Sequence, residues 1–186
     1  MALVFTEQIP LGYPAKEFTL PEPLSGKNRS LKELASQKAT VIMFICNHCP
    51  YVKHVNKELV ALANHYLPKG ISFIAINSND VVKYPDDRPE KMAEVAKELN
   101  YPFPYLYDES QEIAKAYHAV CTPDISVFDR DLNCVYRGQI DDSRPGNDIP
   151  LSGKDLRTVL DAILNNQPLP KEHTPSAGCS IKWKNL

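Results

Sequence analysis

The hydrophobic positions along the chain predict an alternation of buried strands and amphipathic helices. Two short, largely β-branched apolar runs, at 39–45 and 71–76, are typical of central strands that are covered on both faces. Between them, apolar residues recur every three or four positions from Val52 to Tyr66, which predicts a helix that Gly70 closes. Strand, helix and strand in this order predict a βαβ unit.

The second half of the chain adds shorter elements. Apolar spacing predicts three more helices, one beginning near Pro89, one around 113–117 and one around 156–163. The aromatic run 103–107 indicates a strand, and the apolar runs 125–128 and 134–136 flank a turn-rich link that predicts a β-hairpin. The segment 79–88 indicates a polar, charged loop that leads into an inserted helix. The order of elements is that of an α/β domain ending in an antiparallel hairpin and a helix.

Length and composition are those of one folded domain with a tail. The chain has 186 residues, of which 43% are hydrophobic and 24% charged, enough apolar content to bury a core. Many of its 16 prolines cluster near the two ends, which indicates extended segments that are ordered by docking. We therefore expect a domain at 1–166 and a C-terminal tail at 167–186 docked on it.

Charge and hydropathy exclude several classes of partner. The formal net charge of −2 gives no electrostatic reason to expect nucleic acid or an anionic membrane. The longest apolar run, 41–46, is far shorter than the ~20 residues of a membrane-spanning helix. The first seven residues lack the basic and apolar regions of a signal peptide, so the expected location is the cytoplasm.

Five cysteines are the candidate chemistry. An odd count without an export signal argues against a framework of structural disulfides, because cytosolic thiols are kept reduced. Reactive thiols, metal ligands and small buried hydrophobes all remain open for them. The five are Cys46, Cys49, Cys121, Cys134 and Cys179.

The most informative motif is Cys-Asn-His-Cys at 46–49, between a predicted buried strand and a predicted helix. The N-terminus of a helix presents unpaired N–H groups and a partial positive charge, which together stabilise a thiolate. A thiolate is the nucleophile in disulfide exchange, and a second cysteine one turn away can attack the resulting mixed disulfide. This spacing therefore favours thiol–disulfide chemistry.

With this motif, the chain resembles the thioredoxin superfamily over residues 15–165. The resemblance is to its redoxin members in particular, which are of the alkyl hydroperoxide reductase/thiol-specific antioxidant type. Two further segments carry the resemblance: Thr122-Pro123 before a strand, and the opening stretch 18–34. It implies a thioredoxin-like α/β fold, with a central mixed sheet flanked by helices, an N-terminal extension, an inserted helix and a C-terminal tail. It also implies that Pro123 is cis and that Thr122 and Pro123 form a substrate-binding edge opposite the cysteines.

The resemblance also implies roles for the motif residues. Cys46 would be the exposed nucleophile at the helix tip and Cys49 the resolving cysteine. His48 would lower the pKa of Cys46, as a histidine in this place does in strongly oxidising members of the superfamily. The strand before the motif has no acidic residue, so the buried carboxylate of thioredoxin is missing. Pro50 follows Cys49 and predicts that the helix starts late or kinks.

Cys121 and Cys179 have two interpretations each. Cys121 precedes the Thr122-Pro123 pair and is either a third redox thiol or a small buried hydrophobe. Cys121 could also bind a metal together with the motif cysteines and His118, in a site of mixed sulfur and nitrogen ligands, although no metal is predicted. Cys179 could swing to a disulfide partner, but we favour a tail docked by Ile181 and Trp183 in which this cysteine is incidental. Cys134 is assigned to packing.

The sequence therefore predicts a thiol–disulfide oxidoreductase whose substrate is a protein or small-molecule disulfide or dithiol, with an unidentified electron donor. No organic cofactor is expected, because no Gly-rich nucleotide-binding loop occurs. A thiol-dependent peroxidase is the alternative, since Cys49-Pro50 is similar to the peroxiredoxin motif, although Cys46 stands where that motif has threonine. A non-catalytic module that binds a metal or a partner is a third possibility.

Overall fold

The structure, a computed structural model, describes residues 3–184. The strands of this part are β1 (Leu3–Phe5), β2 (Thr19–Glu22), β3 (Lys27–Ser30), β4 (Ala39–Phe44), β5 (Ile71–Asn77), β6 (Tyr105–Tyr107), β7 (Cys121–Thr122), β8 (Asp124–Asp129), β9 (Cys134–Arg137) and β10 (Ala177–Ser180). The α-helices are α1 (Leu31–Leu34), α2 (Pro50–Tyr66), α3 (Pro89–Glu98), α4 (Glu112–Ala116) and α5 (Lys154–Leu164). Within the described residues, no helix is long and apolar enough to cross a lipid bilayer.

A five-stranded mixed sheet with the order β6-β5-β4-β8-β9 forms the centre of the protein. Strand β4 runs parallel to β5 and antiparallel to β8, so that Val41 lies between Phe73 and Val127. All six residues of β4 are buried, as the unbroken apolar run predicted. The βαβ unit and the hairpin of β8 and β9 are confirmed with small changes at their ends.

Helices cover both faces of this sheet. On one face, Leu59 of α2 and Val159 of α5 belong to the same buried cluster as Val41. On the other face, Leu31 and Tyr117 pack in a second cluster with Ile42. Because side chains alternate across a strand, neighbouring residues of β4 supply both clusters. The sheet therefore holds the end of β4, where the cysteine motif begins, between two packed layers.

The two ends of the described chain join in a second, three-stranded sheet with the order β1-β10-β7. Strand β10 pairs antiparallel with β1 on one side and with β7 on the other. Neither β1 nor β10 was predicted, because three or four residues such as Ala-Gly-Cys-Ser at 177–180 have no strand periodicity. Strands β2 and β3 form a separate antiparallel hairpin in the N-terminal extension.

The polar segment 79–88 is folded into the molecule. Asn79, Asp80 and Asp87 are all buried, and a 3₁₀ turn at Pro85–Asp87 leads directly into α3. The insertion therefore brings polar groups beneath the loop that carries the cysteine motif. Helix α3 begins at Pro89 as predicted, since proline is well accommodated in the first turn of a helix.

Candidate active site

The cysteine motif connects β4 to α2, and the helix begins after the second cysteine. Helix α2 starts at Pro50, with Cys49 as its N-cap residue in an extended conformation. Proline is tolerated there because the first N–H groups of a helix lack intrahelical partners. The expectation that Cys46 is the exposed cysteine at the helix tip is therefore wrong. Cys49 lies at the helix N-terminus, and neither cysteine is exposed, since the exposed fractions of Cys46 and Cys49 are 2% and 0%.

The surroundings of Cys49 stabilise its thiolate and lower its pKa to about 5. Hydrogen bonding by Cys46 contributes most, and the Cys179 thiol and the backbone of Val52 add to it, while burial opposes the shift. The carbonyl oxygen of Thr122 lies 3.2 Å from Cys49 Sγ and favours the protonated form, because it can only accept a hydrogen bond. The donors outweigh this opposition, so the net effect of the surroundings favours the thiolate of Cys49.

Cys46 is held in the opposite state. Its pKa is raised well above the usual value by its hydrogen bond to Cys49, by burial and by the negative charge of Asp87. The hydroxyl of Thr122, 3.3 Å from Cys46 Sγ, partly offsets this rise. These effects favour the neutral thiol of Cys46. Attack by Cys46 stays a prediction, and the electrostatics favours Cys49 as the nucleophile instead.

A carboxylate that the sequence did not reveal organises the motif. Asp87 is fully buried and accepts hydrogen bonds from the Asn47 N–H at 2.7 Å and from Asn79 Nδ2 at 2.8 Å. Its other close partner is His48 Nδ1 at 2.6 Å. Burial raises the pKa of Asp87, but the hydrogen bonds outweigh it and the net shift is downward, so the group is charged. The prediction that β4 supplies no carboxylate is correct, and Asp87 comes from the insertion.

The same contacts define the position of His48. Its ring stacks on Tyr84 with 5.0 Å between centroids and 18° between planes, and Nδ1 is directed at Asp87. The other nitrogen, Nε2, is buried and has no hydrogen-bond partner among the described residues. A ring nitrogen of His48, a carboxylate oxygen of Asp87 and Cys46 Sγ lie within 4.8 Å of one another. These three side chains are potential metal ligands, but the hydrogen bond between His48 and Asp87 already pairs two of them.

Thr122 and Pro123 lie opposite the motif, as predicted, and the peptide bond between them is cis. Thr122 contacts both motif cysteines, Cys46 through its hydroxyl and Cys49 through its carbonyl oxygen. The free edge expected at this point is taken by β10, which places Cys179 opposite Thr122. The role of these two residues in binding a substrate stays a prediction.

The remaining candidate residues divide into two groups. Cys179 is buried at 4% exposure, with its sulfur 2.9 Å from Cys49 Sγ. Cys121 instead faces Thr6 Oγ1 and the Pro123 carbonyl, both at 3.8 Å, and burial raises its pKa to about 12. This protonated, enclosed thiol favours the interpretation of Cys121 as a small buried hydrophobe. His118 is exposed and lies outside the group of potential metal ligands.

The C-terminal tail is held by both apolar and polar contacts. Ile181 is buried, whereas Trp183 is 36% exposed with Lys115 Nζ over its ring at 5.8 Å. The Ile181 N–H donates to the Val120 carbonyl at 2.9 Å. The next residue, Lys182, donates its N–H to Asn79 Oδ1 at 2.8 Å. Because Asn79 also binds Asp87, the tail is linked through one side chain to the network beneath the motif.

The central mixed sheet, the helix that follows its middle strand and the cis-proline opposite the cysteines define a thioredoxin-like fold. Residues 11–137 match the model of the AhpC/TSA family, and the chain belongs to this family. No curated protein matches the chain.

Solved structures add close and distant relatives. The chain is similar to an uncharacterized conserved protein from Geobacillus kaustophilus, with 60% identity, a TM-score of 0.98 and coverage of 100% of this chain and 98% of that one. A hypothetical protein from Sinorhizobium meliloti 1021 is 40% identical, with a TM-score of 0.94 and coverage of 97% and 98%. A thioredoxin-family thiol:disulfide interchange protein from Chlorobium tepidum TLS is 18% identical, with a TM-score of 0.63 and coverage of 84% and 99%, which shows the fold alone. Family and fold together support a redox function.

Proposed function

We propose that the protein is a thiol–disulfide oxidoreductase in which Cys46 and Cys49 alternate between dithiol and disulfide. The observation that carries this proposal is the placement of both sulfurs against Thr122 at the start of α2, with Cys46 Sγ 3.3 Å from its hydroxyl and Cys49 Sγ 3.2 Å from its carbonyl oxygen. The surroundings lower the pKa of Cys49 to about 5 and raise the pKa of Cys46. A stabilised thiolate next to a protonated thiol supplies both an attacking group and a resolving group. The substrate class is a protein or small-molecule disulfide.

The reaction needs two exchanges. The Cys49 thiolate attacks one sulfur of the substrate disulfide, which forms a mixed disulfide and releases the other substrate sulfur as a thiolate. Cys46 then loses its proton and attacks Cys49 Sγ, which gives the Cys46–Cys49 disulfide and releases the second substrate thiolate. Two electrons pass from the protein to the substrate. An external dithiol returns them in the reverse sequence.

His48 is the proposed acceptor of the Cys46 proton. A ring nitrogen of His48 lies within 4.8 Å of Cys46 Sγ. Asp87 fixes the ring, because its Oδ2 lies 2.6 Å from His48 Nδ1. The proton can then move to the substrate thiolate that leaves. Thr122 and Pro123 remain the proposed edge for an extended substrate.

The test measures reduction of insulin disulfides driven by dithiothreitol. We expect turnover by the wild-type protein, its loss in Cys49→Ser and a lower rate in Cys46→Ser, where Cys179, 2.9 Å from Cys49, is the remaining thiol that can resolve the mixed disulfide. The matched control is Cys134→Ser, because Cys134 is equally buried but its thiol binds the Tyr136 carbonyl on β9. Turnover that survives in Cys49→Ser, or its absence in a folded wild-type protein, would contradict the proposal.

A peroxidase is the second candidate, because the thiolate lies on the cysteine that precedes Pro50 at the helix start. In that reaction the Cys49 thiolate attacks a peroxide oxygen, the O–O bond breaks and Cys49 becomes a sulfenic acid, while the alkoxide or hydroxide released takes up a proton. A neighbouring thiol then condenses with the sulfenic acid and water leaves. Cys46 stands where peroxiredoxins have threonine and donates a hydrogen bond to Cys49.

The two candidate reactions differ in the oxidant that Cys49 attacks in the first step, which is a disulfide in one and a peroxide in the other. We mix reduced Cys46→Ala with one equivalent of hydrogen peroxide and measure the rate of sulfenic acid formation by rapid quenching and mass spectrometry. Fast formation at Cys49, lost in Cys49→Ser, would favour the peroxidase. Slow formation in both the variant and the wild-type protein would remove the peroxidase from consideration.

A further inference from the structure

Strand β10 lies directly over the redox cysteines and is fixed along both of its edges. On one side Cys179 pairs with Leu3 of β1, and on the other it pairs with Thr122 of β7. Strand pairing fixes the register, and a shift of one residue would turn the Cys179 side chain to the other face. The fold therefore presents this one tail side chain to Cys49.

A glycine makes this approach possible. A Cβ atom on Gly178 would lie 2.0 Å from the Thr122 carbonyl oxygen and 2.5 Å from its carbon. These are backbone atoms, which cannot move aside as the end of a flexible side chain can. Glycine at 178 thus lets β10 lie against β7 with Cys179 over the motif.

The sulfurs of Cys49 and Cys179 are close enough for a bond. Their separation is 2.9 Å, and a disulfide has a length of about 2.05 Å, so an approach of less than about 1 Å joins them. Ser176 anchors the start of the strand, since its hydroxyl donates to the Pro123 carbonyl at 2.8 Å. Cys121 is also buried on the neighbouring strand, but its sulfur faces Thr6.

We propose that Cys179 is a third redox residue of the protein, which forms a disulfide with Cys49 and locks β10 over the motif in the oxidised state. This inference rests on the proposed function, because it extends the chemistry of the same thiolate. It replaces the interpretation of Cys179 as incidental to a docked tail.

The bond forms by exchange within the protein. After turnover has produced the Cys46–Cys49 disulfide, Cys179 loses its proton and its thiolate attacks Cys49 Sγ. The S–S bond to Cys46 breaks, Cys46 leaves as a thiolate and takes up a proton, and the number of disulfides is unchanged. An external dithiol reduces the Cys49–Cys179 bond and restores the three thiols.

The exchange has a consequence for access to the site. All three cysteines are buried when β10 is in place. In the reduced protein β10 covers Thr122 by noncovalent pairing alone. A Cys49–Cys179 bond would add a covalent link that holds the strand there, so the oxidised protein would keep an extended substrate away from Thr122.

The test maps disulfides after oxidation of the reduced full chain with diamide at low protein concentration. We expect a Cys49–Cys179 peptide in the wild-type protein and a complete intramolecular Cys49–Cys179 bond in Cys46→Ala. Gly178→Ala should reduce this bond to a minor species, because the added methyl group displaces β10. Ser180→Ala is the matched control on the same strand, since among the described residues its hydroxyl is hydrogen-bonded to Lys182 Nζ alone and the Cys49–Cys179 bond should form as in the wild type.

Two outcomes would overturn the inference. One is a Cys46→Ala protein that remains folded but stays reduced, or links only between molecules. The other is the same yield of the Cys49–Cys179 bond in Gly178→Ala as in Ser180→Ala. Insulin reduction is measured in a separate assay. Failure of the proposed function would appear as absent insulin turnover in the wild-type protein, whereas failure of this inference would appear as a missing Cys49–Cys179 bond.

Discussion

The contribution of Cys46 to the lowered pKa of Cys49 can be tested apart from any substrate. Replacing Cys46 with alanine removes the donor that contributes most to the lowered pKa of Cys49. A hydrogen bond to a charged group contributes about 1.5–3 kcal/mol, and one pKa unit corresponds to about 1.4 kcal/mol. We therefore expect the pKa of Cys49 to rise from about 5 to about 6–7 in Cys46→Ala.

The assay follows the ultraviolet absorbance of the thiolate as a function of pH, which needs no reagent to reach the buried sulfur. At pH 6 a thiol with a pKa of about 5 is about nine-tenths ionised, and in the variant this fraction should fall to about one-tenth to one-half. Cys46→Ser is the matched control, because its hydroxyl keeps a donor at the same place. Its Cys49 should titrate closer to the wild type than to the alanine variant.

Two results would refute this reasoning. If the absorbance step of the wild-type protein lies near the ordinary cysteine pKa and is unchanged in Cys49→Ser, then Cys49 is not the stabilised thiolate. If Cys46→Ala titrates as the wild type does, the donor is not Cys46, and the backbone groups of α2 and β10 would have to supply the stabilisation instead.

Two further predictions concern the buried charges around the site. Asp87→Asn should destabilise the protein by about 2–4 kcal/mol at neutral pH, because it removes the charged acceptor of His48 and Asn79. Because the pKa of Asp87 is lowered in the folded protein, the stability that this carboxylate contributes is present above its unfolded pKa and is lost as the pH falls. Urea denaturation in acid should therefore show a smaller difference in the free energy of unfolding between Asp87→Asn and the wild type. An equal difference at both pH values would contradict this. Arg137→Met should cost about 3–5 kcal/mol at neutral pH, since it leaves the Asp124 carboxylate buried without its ion pair at 2.9 Å. Burial already raises the pKa of Asp124 to about 7, so this carboxyl is readily protonated below that pH. The loss of stability in Arg137→Met should therefore be smaller in mild acid. A loss of stability that is larger in mild acid would show that Asp124 is not the cause.

Local sequence patterns were sufficient for the elements that form the central sheet. The β-branched run at 39–44 and the apolar spacing of α2 depend on burial along one strand and one helix, and both lie where they were predicted. The cysteine motif was placed between them for the same reason, and Pro50 signalled the late start of the helix. The cis peptide bond at Pro123 followed from the resemblance to a known fold.

Only the tertiary structure decided which groups surround the sulfurs. Asp87 reaches the motif from an insertion, and Cys179 reaches it from the tail, 130 residues beyond Cys49. Neither shows in a local pattern, because a single buried carboxylate or a four-residue strand has no periodicity. The pKa of a thiol depends on the donors and charges within a few ångströms of it, and those that lower the pKa of Cys49 come from Cys46, from the backbone of α2 and from Cys179 on β10. The sequence by itself therefore determined the cysteine motif and its scaffold, whereas long-range packing brought Asp87 and Cys179 to that motif.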